Sequence, residues 1–396
     1  MSSLSVDTVR SAVPTSGSIS IVGRAAPSVG PDDVLIRVAY SAVNRADTLQ
    51  RRGLYAPPPG ATDVLGLEAV GVVVSVGEGV PEGAPAVGSR VMALLSGGGN
   101  ADVTLARAAH CMPVPARLSL REAAAIPEAW LTAFQLLFLV AAGGDAGDGG
   151  GGGGDSGGVG GALPLSPVRA GSTVVIHAAG SGVGTAAVQL ALAVGARVVA
   201  VAGSEEKLTA LRALGVAHED AINHGGAGGA ATFAARLKNV VGPAGAAVVL
   251  DPVGASFAGA NADALGVDGV WVLYGSMGGL RLTEDVAPGV AASLLSTLLR
   301  KRATLVGTTL RNRSDAYKAR LVAHFSAFAL PRFNNGSLRV LIDSEFSLDD
   351  LAAAHARMES NANIGKIIIR AAGADGEESG EGVAAVAVGP HGEHKV

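Results

Sequence analysis

Residues 172–191 read STVVIHAAGSGVGTAAVQLA, and no other stretch restricts the fold of this chain as strongly. Val174, Val175 and Ile176 form a β-branched run that favours a strand. Gly180, Gly182 and Gly184 then permit a tight turn, and residues 186–192 follow an alanine-rich helical pattern. Strand, glycine turn and helix in that order form a cradle for a diphosphate. The backbone comes close where side chains are missing, and the first N–H groups of the helix point at the anion. A dinucleotide is the expected guest, held by Gly180, Ser181, Gly182, Val183 and Gly184. Thr185 stands where G-x-G-x-x-G would place its third glycine, and a plain strand-to-helix turn would also explain a lone glycine cluster.

The surroundings decide in favour of the cradle. Residues 197–202 read as a second buried strand and 205–214 as its helix, with further strands at 246–250 and 270–274. A helical pattern at 230–240 and the stretch 259–265 separate them, an alternation that predicts a parallel, doubly wound sheet. Residues 1–125 are instead β-rich, with strands expected at 34–38, 70–76 and 89–95 and Gly and Pro clusters between them. That spacing predicts a barrel or curled sheet. Its stretch SAVNRADTLQRRGLYAPPPGATDVLGLEAVG is too polar and irregular for pure scaffold, and such loops often carry a site. Residues 119–142 turn helical and are broken by Pro127.

Glycine supplies 13 of the 19 residues from 143 to 161, so 143–167 is expected to be a disordered surface insertion. Beyond Asn312 come a helix around 317–328, an apolar run at 338–342, a helix at 348–358 and a last strand at 366–370. Residues 371–396 read as a disordered tail. The fold expected is α/β, with a catalytic domain made of 1–125 and 312–370 and a nucleotide-binding domain of 126–311.

Composition removes several classes of function. Thirty basic residues against 34 acidic ones give a net charge of −4, and no basic stripe argues for nucleic acid or an anionic membrane. Cys111 is the single cysteine, which excludes an internal disulfide framework and a multi-cysteine zinc site. Reducing, cytoplasmic conditions fit best, and no apolar run is long enough to span a bilayer.

The stretches NRADTLQRRGLY, PPPG, LGLEAVG, SRVMALLSGGG, AAIPEAWLTAFQLL, GSGVGTAAVQLA, VLYGSMGG and NIGKI together resemble the medium-chain dehydrogenase/reductase superfamily. Within it they are similar to the zinc-free quinone oxidoreductases, in the branch typified by the tumour-suppressor-inducible quinone oxidoreductase. The resemblance implies a GroES-like β-barrel catalytic domain built from both chain ends, a central Rossmann domain, a cleft between them and a homodimer formed through the Rossmann edge. Zinc relatives carry a cysteine in the first catalytic loop and a histidine just before the next glutamate. Here the loop carries Asn44 and Asp47, and Leu67 precedes Glu68, so no metal is expected. Asp47 and Glu68 are read as structural carboxylates bonded to loop backbone.

For the cofactor, an NAD-binding strand usually ends in an acid that bonds the ribose 2′-hydroxyl. This one ends in Ala202, Gly203 and Ser204, with Lys207 a turn later, which favours NADPH through a hydrogen bond and a charge on its 2′-phosphate. Glu205 turned inward would hold NAD instead. The resemblance places His224 beside the adenosine phosphate and passes the nicotinamide by Tyr274, Gly275, Ser276, Met277, Thr308, Thr309 and Leu310, the last three on the next strand. It also sets Thr132 beneath the ring and adds Asn363 from NIGKI. Asn44 and Tyr55 would face the acceptor, Asn44 bonding a quinone oxygen and Tyr55 walling the pocket or passing a proton. Arg311 borders the acceptor or begins a helix.

The expected function is hydride transfer from NADPH to a quinone. Reduction of enones or 2-enoyl thioesters is the alternative, and a nucleotide-binding sensor without chemistry is a third reading.

Overall fold

The computed structural model describes residues 8–143, 166–225, 229–287, 289–372 and 374. The glycine insertion between 144 and 165 and most of the expected tail lie outside the described residues. The chain divides into two compact units, one of residues 1–128, 342–362 and 367–396, the other of 129–341 and 363–366.

The first unit begins with β1 (Val9–Thr15) and β2 (Ser18–Arg24), then β3 (Asp33–Ala42), α1 (Arg45–Arg51), β4 (Glu68–Val76), β5 (Arg90–Leu94), β6 (Val103–Arg107), β7 (Cys111–Pro113) and α2 (Leu120–Ala123). β1 and β2 pair as a ribbon, while β3 pairs antiparallel with both β4 and β6 at the centre of the main sheet. Val34, Ile36 and Val38, at alternate positions and so on one face of β3, pack together with Ala69, Val73, Val91 and Ala93. Gly71 interrupts the valine run because β3 passes too close for a side chain: a Cβ there would stand 1.9 Å from the Arg37 carbonyl oxygen. Ser119 caps α2, accepting from the Glu122 N–H at 3.2 Å while its own N–H donates to Glu122 Oε2 at 2.9 Å.

After α3 (Pro127–Phe134) the helix widens into a π turn over Gln135–Val140, and the second unit continues as alternating strands and helices. These are β8 (Thr173–Ile176), α4 (Gly182–Ala193), β9 (Arg197–Ala202), α5 (Glu205–Ala213), β10 (Ala221–Asn223), α6 (Gly229–Val241), β11 (Ala246–Asp251), α7 (Ala258–Ala264), β12 (Leu265–Leu273), α8 (Val290–Lys301), β13 (Thr304–Gly307) and α9 (Asp315–Asn334). The strands form one six-stranded sheet in the order β10-β9-β8-β11-β12-β13, every neighbour parallel. The chain winds outward from β8 on one side and from β11 on the other. The carboxyl ends of those two strands are therefore the switch point where an open parallel sheet binds its ligand. Ala186, Ala187 and Ala191 of α4 are fully buried, and their small side chains let the helix lie close on β8.

Two expectations shift, and the apolar run at 338–342 finds its place: the Arg339 N–H and carbonyl are both taken by the amide of Gln189, at 3.0 and 2.9 Å. Then come β14 (Ile342–Ser347), α10 (Leu351–Glu359) and β15 (Lys366–Arg370). The chain rejoins the first unit near Ile342 rather than at 312, since α9 packs within the second unit: Phe325 and Phe328 meet Phe134 with centroids 5.8 and 5.9 Å apart. The Tyr317 hydroxyl also donates to Gln135 Oε1 at 3.2 Å. Finally, Thr308, Thr309 and Leu310 follow β13 instead of lying on it, because the ladder with β12 ends at Gly307.

Candidate functional site

β8 ends at Ile176, and α4 starts at Gly182 with Ser181 as its cap, whose Oγ accepts from the Gly184 N–H at 3.0 Å. Helix geometry gives the N–H groups of Gly182 and Val183 no partner within the first turn, so they are left to an outside acceptor. Each glycine has its own reason. A Cβ at Gly184 would stand 2.4 Å from the Ala178 carbonyl oxygen, so α4 and the end of β8 touch backbone to backbone. At Gly180 the space is roofed by Lys207, whose Cδ would be 3.0 Å from a Cβ. At Gly182 the Cδ of Lys366 would be 2.6 Å away. Two lysine stems thus lie across the turn.

Lys366 escaped the sequence reading, although the quoted NIGKI stretch contains it. The signal was a lone cation opening the apolar run KIIIR, and this lysine is 4% exposed. Its segment is fixed beside the turn by the Gly365 N–H, which donates to the Gly180 carbonyl at 2.9 Å. Asn363 is buried and donates its amide to the Gly365 carbonyl at 3.0 Å, holding the positive-φ bend there. Two helix N–H groups, a helix dipole and two ammonium stems make a donor set that fits a diphosphate.

The second strand end lies next to the first. Ser204 caps α5, accepting from the Lys207 N–H at 3.4 Å, and Lys207 returns across Gly180. The His224 N–H donates to the Ala202 carbonyl at 3.0 Å, and its Nε2 is 3.2 Å from where a Cβ of Gly203 would be. Gly203, Ser204, Lys207 and His224 therefore share one spot. Glu205, next to Ser204, faces Arg212 and Asn223, each at 3.5 Å. Burial and the charge of Lys207 hold the His224 imidazole below its usual pKa.

Behind this spot runs a fully buried polar chain. His177 Nε2 meets Asn261 Oδ1 at 2.6 Å, and the Asn261 amide and Trp271 Nε1 both donate to Asp251 Oδ2 at 2.9 Å. Asp251 Oδ1 accepts from the N–H groups of Val253 and Gly254 at 2.7 and 2.9 Å. The loops after β11 and β12 are then laced by backbone. The N–H groups of Tyr274, Met277 and Gly278 donate to the carbonyls of Asp251, Pro252 and Val253, and that of Ala255 to Gly279. Gly275 is required here, since a Cβ would stand 2.6 Å from the Pro252 oxygen. The Thr308 N–H donates to the Leu273 carbonyl at 3.0 Å, and Arg313 donates to Thr308 Oγ1 at 2.8 Å. Ser276 and Met277 are exposed, while Leu310, Arg311 and Thr132 are buried. Burial and the charge of Asp251 push the Tyr274 phenol far up, so it stays protonated.

In the first unit, Asp47 and Glu68 are fully buried. Asp47 accepts from the N–H groups of Asn44 and Gly66 at 2.8 and 3.0 Å. Glu68 accepts from the Glu128 N–H at 2.9 Å and from the Asn44 amide at 2.8 Å. Asp47 holds loop backbone, as expected, whereas Glu68 holds the first turn of α3 and orients the Asn44 amide. Tyr55 is half-buried in the loop that follows α1. Among the described residues no three His, Cys, Asp or Glu side chains stand where they could hold a metal ion. With Asn44 and Leu67 in the loop and both carboxylates spent on backbone, the donor set does not suit zinc. Burial pushes the Cys111 thiol up to about 12. No helix among the described residues is long and apolar enough to cross a membrane.

Two family models match the chain. Residues 30–132 match the alcohol dehydrogenase GroES-like domain, and 182–326 match the family described as zinc-binding dehydrogenase. The rat synaptic vesicle membrane protein VAT-1 homolog (Rattus norvegicus) is 28% identical over 350 residues, 87% of this chain and 78% of the relative. Rat quinone oxidoreductase is 26% identical over 345 residues, covering 87% of this chain and 90% of the relative. Among solved structures, an NAD-dependent alcohol dehydrogenase superposes with a TM-score of 0.69 at 25% identity, over 91% of this chain and 99% of that one.

Proposed function

The chain belongs to the medium-chain dehydrogenase/reductase superfamily, and from that premise we propose that it is a cytoplasmic reductase that takes a hydride from NADPH and passes it to quinones without a metal. The observation that carries the reading is the strand end at residues 202–204, which has no acid and is flanked instead by Lys207 and His224 beside the glycine turn. A ribose 2′-hydroxyl finds no carboxylate there, whereas a 2′-phosphate finds a cation, an imidazole and the Ser204 hydroxyl. The likeness to rat quinone oxidoreductase supports the acceptor class.

Bound to the second unit, NADPH supplies the hydride. Gly180, Ser181, Gly182, Val183 and Gly184 hold the diphosphate through backbone donors, with Lys366 as a further cation. The laced loop at Tyr274, Gly275, Ser276 and Met277, together with Thr308, Thr309, Leu310, Thr132 and Asn363, shapes the nicotinamide end. Asn44, already aligned by Glu68, donates to the acceptor oxygen, and Tyr55 walls the acceptor. The protein's part is placement and exclusion of water during hydride transfer, which leaves a hydroquinone anion; that anion takes its proton from solvent on release, so no placed acid is needed.

An enoyl reductase must instead protonate the carbon beside the carbonyl, and a placed Tyr55 would be its donor. The test follows NADPH absorbance against a benzoquinone, a naphthoquinone, an enone and an enoyl thioester, with NADH as control and Tyr55→Phe in parallel. Turnover with quinones that survives Tyr55→Phe is expected. Turnover confined to enoyl substrates and lost in Tyr55→Phe would establish the alternative, and tight NADPH binding with no oxidation by any acceptor would establish a sensor. We further assign a homodimer formed along β13, the edge strand of the parallel sheet, where Leu305 is exposed. Leu295 and Leu299 of α8 are also exposed, at 79% and 80%.

A further inference from the structure

We infer that His224 and Lys207 act together as a proton-linked selector: binding of a 2′-phosphate is accompanied by proton uptake at His224, so the preference for NADPH over NADH strengthens as the pH falls. The inference rests on the reading of residues 202–207 as the 2′-phosphate site, and it concerns how that site is regulated rather than where it lies.

The geometry supplies the coupling. The His224 N–H donates to the Ala202 carbonyl, which anchors its main chain at the strand end. On its inner side the ring packs against Phe257 and Phe233, with centroids 5.4 and 6.3 Å away, and neither can stabilise an imidazolium by hydrogen bonding. Its Nε2 turns to the space over Gly203, which a side chain would fill. The charged and titratable neighbours come from four elements. Lys207 of α5 opposes a positive imidazole. His177 beyond β8 is fully buried, and burial holds it below its usual pKa as a neutral ring. Arg236 of α6 is bonded to the Asn223 carbonyl, next to His224 in sequence. Glu205, at the start of α5, is drawn to Arg212 and Asn223. Asp251, beyond β11, acts on His177.

Without a ligand, then, the ring lies beside the charge of Lys207 and the faces of Phe257 and Phe233 and is held below its usual pKa, neutral near pH 7. A phosphate dianion between Lys207 and His224 reverses the sign of the field. An opposite charge within about 4–6 Å raises such a pKa by roughly one to three units, and each unit is tenfold in linked affinity. NADH carries no 2′-phosphate and exerts no such pull. The phosphate's own second ionisation near 6 works in the other direction, because a singly charged phosphate binds Lys207 less well.

The test is titration of the full chain with NADPH and NADH between pH 8 and pH 6, read by calorimetry in two buffers of different ionisation enthalpy. Net proton uptake with NADPH and none with NADH is expected, with the NADPH preference rising about tenfold across that range. His224→Gln, checked for folding by circular dichroism, should lose the uptake and show a flat or reversed pH trend. Lys207→Met, which removes the opposing charge, should bind NADPH more weakly yet keep the acid-strengthened trend, shifted to higher pH. An NADPH preference that does not rise with acid in the unaltered chain, or an uptake that persists in His224→Gln, overturns the selector while leaving NADPH binding intact. Failure to bind NADPH more tightly than NADH at any pH overturns the site assignment itself.

Discussion

His355 lies fully buried on α10, and neither ring nitrogen has a hydrogen-bond partner. Burial, followed by the charge of Arg51, lowers its pKa to about 4. Between roughly pH 6.5 and pH 4 the unfolded chain therefore binds a proton that the folded chain refuses, and stability falls as the pH falls. A shift of this size corresponds to about 3 kcal/mol. Urea midpoints at pH 7.5 and pH 4.5 should move apart accordingly, and His355→Leu should remove most of that difference. The glycines of the turn separate two further effects. Gly184→Ala drives a methyl into backbone and should cost about 3 kcal/mol of stability, seen as a lowered melting temperature. Gly182→Ala meets the buried Lys366 stem and touches the Ala129 Cβ but no backbone, so it should cost less stability than Gly184→Ala while weakening NADPH binding about tenfold, measured by fluorescence titration.

Among elements, the loop after β11 depends on one carboxylate. Asp251 accepts from two backbone N–H groups, the Asn261 amide and the Trp271 indole, all buried. Asp251→Ala would strand these donors and should lower stability by at least about 3 kcal/mol, with the nucleotide affinity falling beyond what unfolding explains. Nothing in the sequence pattern announced this hub, because its members lie 10 and 20 residues apart and meet only through the parallel sheet. The strands were legible for the opposite reason: runs such as Val174, Val175 and Ile176 carry their burial in their own composition. Elements stabilised from outside were not. α8 shows a leucine pattern that solvent faces on one side, and the apolar run at 338–341 takes its place from Gln189, whose amide claims the Arg339 backbone. Within the candidate site, the nearness of Gly180–Gly184 and of Gly203, Ser204 and Lys207 was readable from two successive strand ends, while His224, just past the next strand, was placed only by the resemblance. Lys366 was not readable, since it arrives from 184 positions away.

For the whole molecule, an edge strand with exposed ladder groups and a leucine-bearing helix beside it is a surface that solvent does not favour. If two copies join there, Leu295→Asp combined with Leu299→Asp should shift light-scattering mass from twice the chain to once. NADPH binding should persist in that variant, because α8 contributes no residue to the glycine turn. The lacing of the two loops after β11 and β12 carries a different implication. Their mutual hold runs through carbonyls and amide hydrogens, so the side chains at Ser276 and Met277 project from a frame that does not depend on them. A saturation library at those two positions should yield mostly soluble variants with the turn intact. The catalytic repertoire of such a chain could therefore diversify rapidly there while its architecture stays the same.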